Sequence, residues 1–143
     1  MSASAVLKLM KEKEIEYVDL RFTDPRGKLQ HVTMDGKVVD EEMLNVGVYF
    51  DGSSIAGWKA INESDMILKP DLERQVVDPF TSHNTLILFC DVLDAVKKDP
   101  YERDPRSTAK KAEAYLKKSG IGDKANFGPE AEFFVFDDVR YKN

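Results

Sequence analysis

The sequence predicts an α+β fold, in which a small mixed sheet is crossed by short helices. Two strand patterns and one helix pattern support this class. Val18, Leu20 and Phe22 alternate with polar neighbours, as in a half-buried strand. The run Thr85–Val92 is apolar enough to lie at the centre of a sheet, and apolar residues recur at helical spacing over Ser2–Glu14. Hydrophobic residues make up 42% of the 143, which is enough to build a core.

The first strand is expected to belong to a β-hairpin over residues 16–34. Asp24-Pro25-Arg26-Gly27 joins its two halves as a type I turn, because proline fixes φ at the second position and glycine ends the turn. Asp40 then precedes a short helix over Glu41–Val46 that it can cap, and Gly47 is placed to end that helix.

The next strand candidate is Met66–Leu68. Pro70 and Pro79 are expected to break regular structure between it and the central strand. Residues 94–107 are charged, contain two of their own prolines and show no apolar period, so they are the best candidate for a linker.

A second long helix is predicted after this linker. Asp104 is a good capping residue, Pro105 suits the first helical position, and Gly120 can close the helix. Its expected core-facing stripe consists of Ala109, Ala112 and Leu116.

The last predicted element is a very apolar strand over Phe127–Phe136. A lone strand leaves its backbone hydrogen-bonding groups without a ladder partner. Either this strand joins the preceding sheet or the chain is the front part of a longer protein, and the second interpretation is favoured.

Composition excludes several classes of protein. The net charge of −5 argues against a protein that depends on gripping nucleic acid phosphates, and no run is long and apolar enough to span a bilayer. The N-terminus lacks the features of a secretion signal. Cys90 is the only cysteine, so an intramolecular disulfide is impossible. A cytoplasmic protein without nucleic acid or membrane partners is therefore expected.

Residues 49–58 are the first segment that could carry chemistry. Their glycines and serines predict a loop, in which the Asp51 carboxylate lies between the aromatic residues Tyr49, Phe50 and Trp58. Such a site could hold a small cation by charge and by ring faces. The alternative, an ordinary Asp-Gly turn, is favoured by composition alone.

Glu130 and Glu132 are the second candidate. In a strand they would project from the same side, about 7 Å apart, and could hold Mg²⁺ or Mn²⁺ through oxygen ligands. The alternative is a polar strand end that faces water. The neighbouring aromatic residues favour burial, and buried carboxylates need a partner or a metal.

Several motifs, in order along nearly the whole chain, resemble the glutamine synthetases of the bacterial type. The segment Phe50-Asp51-Gly52-Ser53-Ser54, followed after eight residues by Glu63-Ser64-Asp65-Met66, is similar to their N-terminal signature. The other matching segments are Val18–Asp24, Gly27-Lys28, Asn62–Met66, Asp78–Phe80, Asp104–Arg106 and Phe127–Phe134.

The resemblance implies three parts: an N-terminal helix (1–14), a β-grasp domain (15–100) and the incomplete start of an α/β catalytic domain (101–143), with its first helix and strand. It also implies an ATP-dependent ligase that joins ammonium to glutamate through γ-glutamyl phosphate, with Mg²⁺ or Mn²⁺. Family members form homo-oligomers, expected here as a ring-based dodecamer, in which each active site is shared between adjacent subunits.

By matching position, Asp51 resembles the residue that binds ammonium and favours its deprotonation. Glu130 looks like a ligand of the metal that bridges the ATP phosphates, and Glu132 like a ligand of the second metal. Supporting roles in the loop and site are implied for Ser53, Ser54, Trp58 and Asp65. Ala131 stands where many bacterial members have proline, a change that leaves both carboxylates in place.

The later residues that complete the family's site are absent from these 143 residues, so this polypeptide alone is predicted to be inactive as a synthetase. Two other hypotheses stay open. The chain could be a free-standing β-grasp interaction module, or a synthetase-like regulatory protein without a catalytic half.

Overall fold

A five-stranded mixed sheet organises the part of the chain that the structure, a computed structural model, describes: residues 1–58 and 64–142. Its strand order is β2-β1-β5-β4-β3. The strands are β1 (Tyr17–Thr23), β2 (Leu29–Asp35), β3 (Val48–Asp51), β4 (Asp65–Val77) and β5 (Thr85–Asp94), and the helices are α1 (Ala3–Glu12), α2 (Glu41–Val46) and α3 (Pro105–Ser119).

The central strand of the sheet is β5, as its apolar run predicted. It runs parallel to β1, while the other neighbouring strands are antiparallel. Val18, Leu20 and Phe22 of β1 are buried in the core, as their alternation predicted. On β5, Leu86 and Leu88 are fully buried. The mixed α+β class is confirmed.

The helix starts and the hairpin turn follow the sequence signals. Ser2, Asp40 and Asp104 cap α1, α2 and α3, each accepting a hydrogen bond from a backbone N–H of the first turn. Gly47 ends α2 at φ 102°, where a Cβ would lie 2.5 Å from the Leu68 carbonyl oxygen. In the hairpin turn, Asp24 accepts from the backbone N–H groups of residues 26 and 28.

Pro70 does not break the structure as expected. It lies inside β4 and pairs with Cys90 of β5, next to a register shift that extends to Gln75. The ladder with β3 ends at Leu68, so at Pro70 one side of the strand has no neighbour that needs a donor.

Residues 94–107 are not a loose linker either. Pro100 bridges to Leu93, and the Tyr101 backbone N–H donates to the Val92 carbonyl oxygen at 2.9 Å. Asp104 is fully buried, and its carboxylate accepts hydrogen bonds from the backbone N–H groups of Val92 and Ser107, which compensate for the loss of water. Charged composition suggested a linker, but these contacts fasten the segment to β5.

The predicted stripe on α3 is exposed at Ala109 and Ala112, and only Leu116 is half-buried. The helix meets the sheet through its first turns instead. Arg106 pairs with Asp71 at 2.5 Å and with Asp91 at 3.0 Å.

The strand expected over Phe127–Phe136 is not formed. Residues 124–136 have no regular structure, and Phe133 and Phe134 are 84% and 86% exposed. The physical reason is the one that the sequence raised: within the described residues no strand pairs with this segment, and an unpaired strand gains no ladder hydrogen bonds. The burial expected from its aromatic residues is therefore also absent.

Candidate functional site

Asp51 is the last residue of β3, an edge strand. The sequence did not predict this strand, because the glycines and serines next to it are typical of a loop. β3 pairs with β4 over four residues, and Asp51 lies opposite Asp65 in that ladder. Both carboxylates are exposed. The predicted loop thus begins three residues later than expected, at Gly52 instead of Tyr49. The name Asp51 loop is used below for residues 51–58.

The Asp51 carboxylate also caps the short 3₁₀ turn Gly52–Ser54. Its Oδ1 accepts from the Ser53 hydroxyl at 2.7 Å and from the Ser53 backbone N–H at 2.9 Å. These hydrogen bonds, with a further one from the Ser64 side chain, hold the pKa of Asp51 below its usual value. The result is an exposed carboxylate that stays ionised and has a fixed direction.

Gly52 lets the loop turn tightly against β4. Its backbone N–H donates to the Ser64 carbonyl oxygen at 2.8 Å. A Cβ at this position would lie 2.2 Å from the Met66 sulfur, so a larger residue would push the loop away from the strand. Close approach, rather than a left-handed backbone, is what requires glycine here.

Trp58 anchors the far end of the Asp51 loop. Its ring is 5% exposed and lies 5.6 Å from the rings of both Phe22 and Tyr101, centroid to centroid, and 6.2 Å from Phe50. Within the described residues, its indole N–H has no hydrogen-bond partner. Aromatic packing therefore positions this ring.

The remaining loop residues divide by burial. Ser53 is half-buried beside Asp51 and shapes the turn, whereas Ser54 is exposed. Asn62 and Glu63, which carried part of the sequence resemblance, lie outside the described residues.

Glu130 and Glu132 are both exposed in the irregular segment after α3. Because the strand is not formed, strand geometry gives no support for placing them on one side. Within residues 1–58 and 64–142, no group of three or more His, Cys, Asp or Glu side chains could hold a metal ion. The structure does not assemble the two carboxylates with further ligands.

Sequence reasoning missed Arg103, which contacts the Asp51 loop from the segment after β5. Its Nη1 donates to the Gly57 carbonyl oxygen at 3.0 Å and to the Trp58 carbonyl oxygen at 3.3 Å. The charged composition of residues 94–107 hid this contact, and no local pattern could have revealed it, because 45 residues separate Arg103 from Trp58.

The burial of Asp19 was also not predicted from the sequence. The strand alternation put it on a polar face, but it is only 4% exposed. It accepts from Arg21 Nε at 2.7 Å and from the Thr33 hydroxyl at 2.7 Å, and it hydrogen-bonds His31 Nδ1 at 2.8 Å. Burial alone would raise the pKa of Asp19, but these hydrogen bonds outweigh it and lower the pKa. This cluster joins β1 to β2.

Comparison with known proteins first identifies the class of the fold. Residues 14–95 match the family described as the glutamine synthetase β-grasp domain, and residues 102–143 match the glutamine synthetase catalytic domain. A solved structure of Plasmodium falciparum glutamine synthetase superimposes with a TM-score of 0.78 at 25% identity, covering 87% of this chain and 24% of that one.

Bacterial relatives are much more similar in sequence. Glutamine synthetase from Rhizobium meliloti is 66% identical and that from Azorhizobium caulinodans 61% identical, each over 141 residues. Each alignment covers 99% of this chain and 30% of the relative. The chain belongs to the glutamine synthetase family, and it spans about 30% of the length of these relatives.

None of the helices in residues 1–58 and 64–142 has the length and apolar character that crossing a membrane requires.

Proposed function

We propose that this chain is the N-terminal part of an ATP-dependent glutamate–ammonia ligase that makes glutamine through γ-glutamyl phosphate. In that reaction it supplies the loop that binds ammonium and two metal-ligand glutamates. Family membership supports the glutamine-making enzyme as a whole. The observation that carries the assignment within this chain is the exposed, ionised and directed carboxylate of Asp51.

The chemistry of Asp51 suits an ammonium site. A carboxylate kept ionised attracts the cation by its charge. By analogy with the family, we propose that Asp51 holds ammonium and favours its deprotonation to the attacking ammonia. Ser53 donates both of its hydrogen bonds to Oδ1, and the carboxylate as a whole stays exposed to an approaching cation. Asp65, opposite Asp51 in the ladder, adds negative charge that favours a cation there.

The position of Asp51 also supports a site shared between two chains. β3 is an edge strand, so the loop that follows it lies at the border of the sheet. The carboxylate is exposed and can face a neighbouring subunit. We therefore propose a homo-oligomer, a ring-based dodecamer by analogy with the family, in which the Asp51 loop of one subunit completes the site of the next.

The proposed metal ligands are Glu130 and Glu132. Their carboxylate oxygens are the ligands that Mg²⁺ and Mn²⁺ prefer, so they fit the metal in kind. Two carboxylates do not complete a site, and the described residues add no third group beside them. When bound, the divalent cations would neutralise the charge on the phosphate oxygens during transfer from ATP. Glutamate and ATP are the other proposed substrates, and a cytoplasmic location stays a prediction.

The test uses a full-length synthetase whose N-terminal part is this chain. Asp51→Asn is expected to raise the KM for ammonium strongly while the KM for ATP changes little. Asp35→Asn is the matched control, because Asp35 likewise caps a 3₁₀ turn, over Gly36–Val38, through its carboxylate. An equal rise of the KM for ammonium and the KM for ATP in Asp51→Asn would contradict the assigned role. It would favour the alternative hypothesis of a non-catalytic β-grasp module.

A further inference from the structure

We propose that Arg103 is a positioning residue for the Asp51 loop: its guanidinium binds the end of the loop and fixes that end against the segment after β5. The bond pattern is specific, because one nitrogen, Nη1, reaches the carbonyl oxygens of two consecutive residues, Gly57 and Trp58. Hydrogen bonds from a charged donor are stronger than those between neutral groups. The proposal rests on the proposed function only in giving Asp51 a chemical task.

Arg103 projects from a rigid support. The backbone around it is fastened to β5 by the Leu93–Pro100 bridge and by the hydrogen bond from the Tyr101 N–H to the Val92 carbonyl oxygen. One residue later, the buried Asp104 accepts from the Val92 N–H at 3.3 Å. A guanidinium that starts from such a fixed point can hold a loop without moving with it.

Short-range backbone hydrogen bonds link the end of the Asp51 loop that Arg103 contacts to the end that carries Asp51. The Trp58 N–H donates to the Ile55 carbonyl oxygen at 3.2 Å, and the Ile55 N–H donates to the Gly52 carbonyl oxygen at 3.1 Å. Gly52 then leads into the turn in which Ser53 donates to Asp51. Loss of the anchor at Trp58 is therefore transmitted to the hydrogen bonds that orient the carboxylate.

The anchor is needed because the indole N–H of Trp58 finds no partner among the described residues. Ring packing against Phe22, Phe50 and Tyr101 positions the indole, but it supplies no hydrogen bond to the backbone of the loop. The two carbonyl contacts of Arg103 add the missing direction.

The experiment uses the 143-residue chain, in which Trp58 is the only tryptophan. In Arg103→Gln, Trp58 emission is expected to shift to longer wavelength and its quenching by acrylamide to increase. The Asp51 carboxyl, followed by ¹³C NMR and assigned with Asp51→Asn, is expected to titrate at a higher pH. Arg103→Lys keeps the positive charge but has one ammonium group in place of the guanidinium, so its Trp58 emission and Asp51 titration should lie between those of the original chain and Arg103→Gln. Arg74→Gln, which removes an exposed arginine of β4, should change neither readout.

Three results would overturn the proposal. The first is an unchanged Trp58 emission in Arg103→Gln, and the second is an altered emission with an unchanged Asp51 titration. The third is a loss of far-UV circular dichroism in both Arg103 variants, which would indicate a general folding role. None of these readouts involves ammonium or ATP, so failure of this proposal and failure of the proposed function are separate outcomes.

Discussion

The two hydrogen bonds from Ser53 are the largest influences on the pKa of the Asp51 carboxyl. The Ser53 hydroxyl and backbone N–H both donate to Oδ1, which lowers the pKa of the carboxyl and fixes its orientation. The hydroxyl contribution can be removed separately from the backbone one. The serine that follows makes a natural comparison, because Ser54 is exposed in the same turn.

We expect Ser53→Ala to raise the pKa of Asp51 towards its ordinary value, because the charged form loses a donor. Titration of the Asp51 carboxyl by ¹³C NMR measures this directly. Ser54→Ala is the matched control and should leave the titration where it is. If both variants shifted the Asp51 titration equally, Ser53 would have no special role in keeping the carboxylate ionised.

At the level of elements, short connections and polar clusters, among them the cluster around Asp19, stabilise the fold. Gly47 lets α2 pass directly into β3, and thereby places the strand that carries Asp51 against β4. The Asp19 cluster joins β1 to β2, and Arg21 extends it to Asp78 after β4 at 3.3 Å. Substitutions at Gly47 and at Asp19 are therefore expected to lower the free energy of unfolding.

Gly47→Ala is expected to destabilise the chain by about 1–3 kcal/mol, because the new methyl group would overlap the Leu68 backbone. The positive φ of 102° adds strain for any residue with a Cβ. Urea unfolding measures the change. Gly128→Ala is the control, since no heavy atom lies within 4 Å of the added Cβ. A loss of similar size in both variants would contradict this explanation.

The Asp19 cluster predicts acid sensitivity. The pKa of the Asp19 carboxyl is lowered in the folded state. The stability that its ionised form contributes is therefore fully present above the ordinary aspartate pKa of 3.8, and it is lost as the pH falls through the folded-state pKa. The free energy of unfolding should therefore decrease below about pH 4. Asp19→Asn should be less stable at neutral pH and show a flatter acid profile, whereas Asp123→Asn, at an exposed position, should keep the original profile. An unchanged acid profile in Asp19→Asn would rule out this origin.

Local signals predicted the elements well, and long-range contacts account for the differences. The hairpin, the caps Asp40 and Asp104, and the stop at Gly47 depend on neighbouring residues alone, so the sequence contains them. β3 was missed because its strand character comes from pairing with β4, and the anchoring of residues 94–107 comes from β5. The strand over Phe127–Phe136 needs a partner strand that the described residues do not offer. Loop composition made Asp51 a candidate and the resemblance gave it a role, whereas the supporting contact from Arg103 needed the three-dimensional structure.

For the molecule as a whole, the proposed site residues in the described part of the chain form two groups: the exposed turn at Asp51 and the unassembled pair Glu130 and Glu132. The chain spans about 30% of the length of its bacterial relatives. Within the described residues, no metal-binding cluster of three or more ligands is present. We expect the proposed chemistry to use ligands besides Glu130 and Glu132.

We expect the 143-residue chain alone to form no glutamine from glutamate, ammonium and ATP in the presence of Mg²⁺ or Mn²⁺. The assay is direct, with a full-length synthetase as the positive control. Turnover above background, abolished by Asp51→Asn, would show that this chain carries a complete site and would refute the expectation.

The most direct test of the central claim, that a site combines Asp51 of one subunit with Glu130 and Glu132 of its neighbour, is complementation between two inactive variants. Asp51→Asn and Glu132→Gln are made separately in a full-length synthetase whose N-terminal part is this chain, and the two are then co-assembled. In a randomly mixed ring, about a quarter of the sites would receive both intact residues, so roughly a quarter of the activity should return. A mixed assembly as inactive as either variant alone would contradict the shared site.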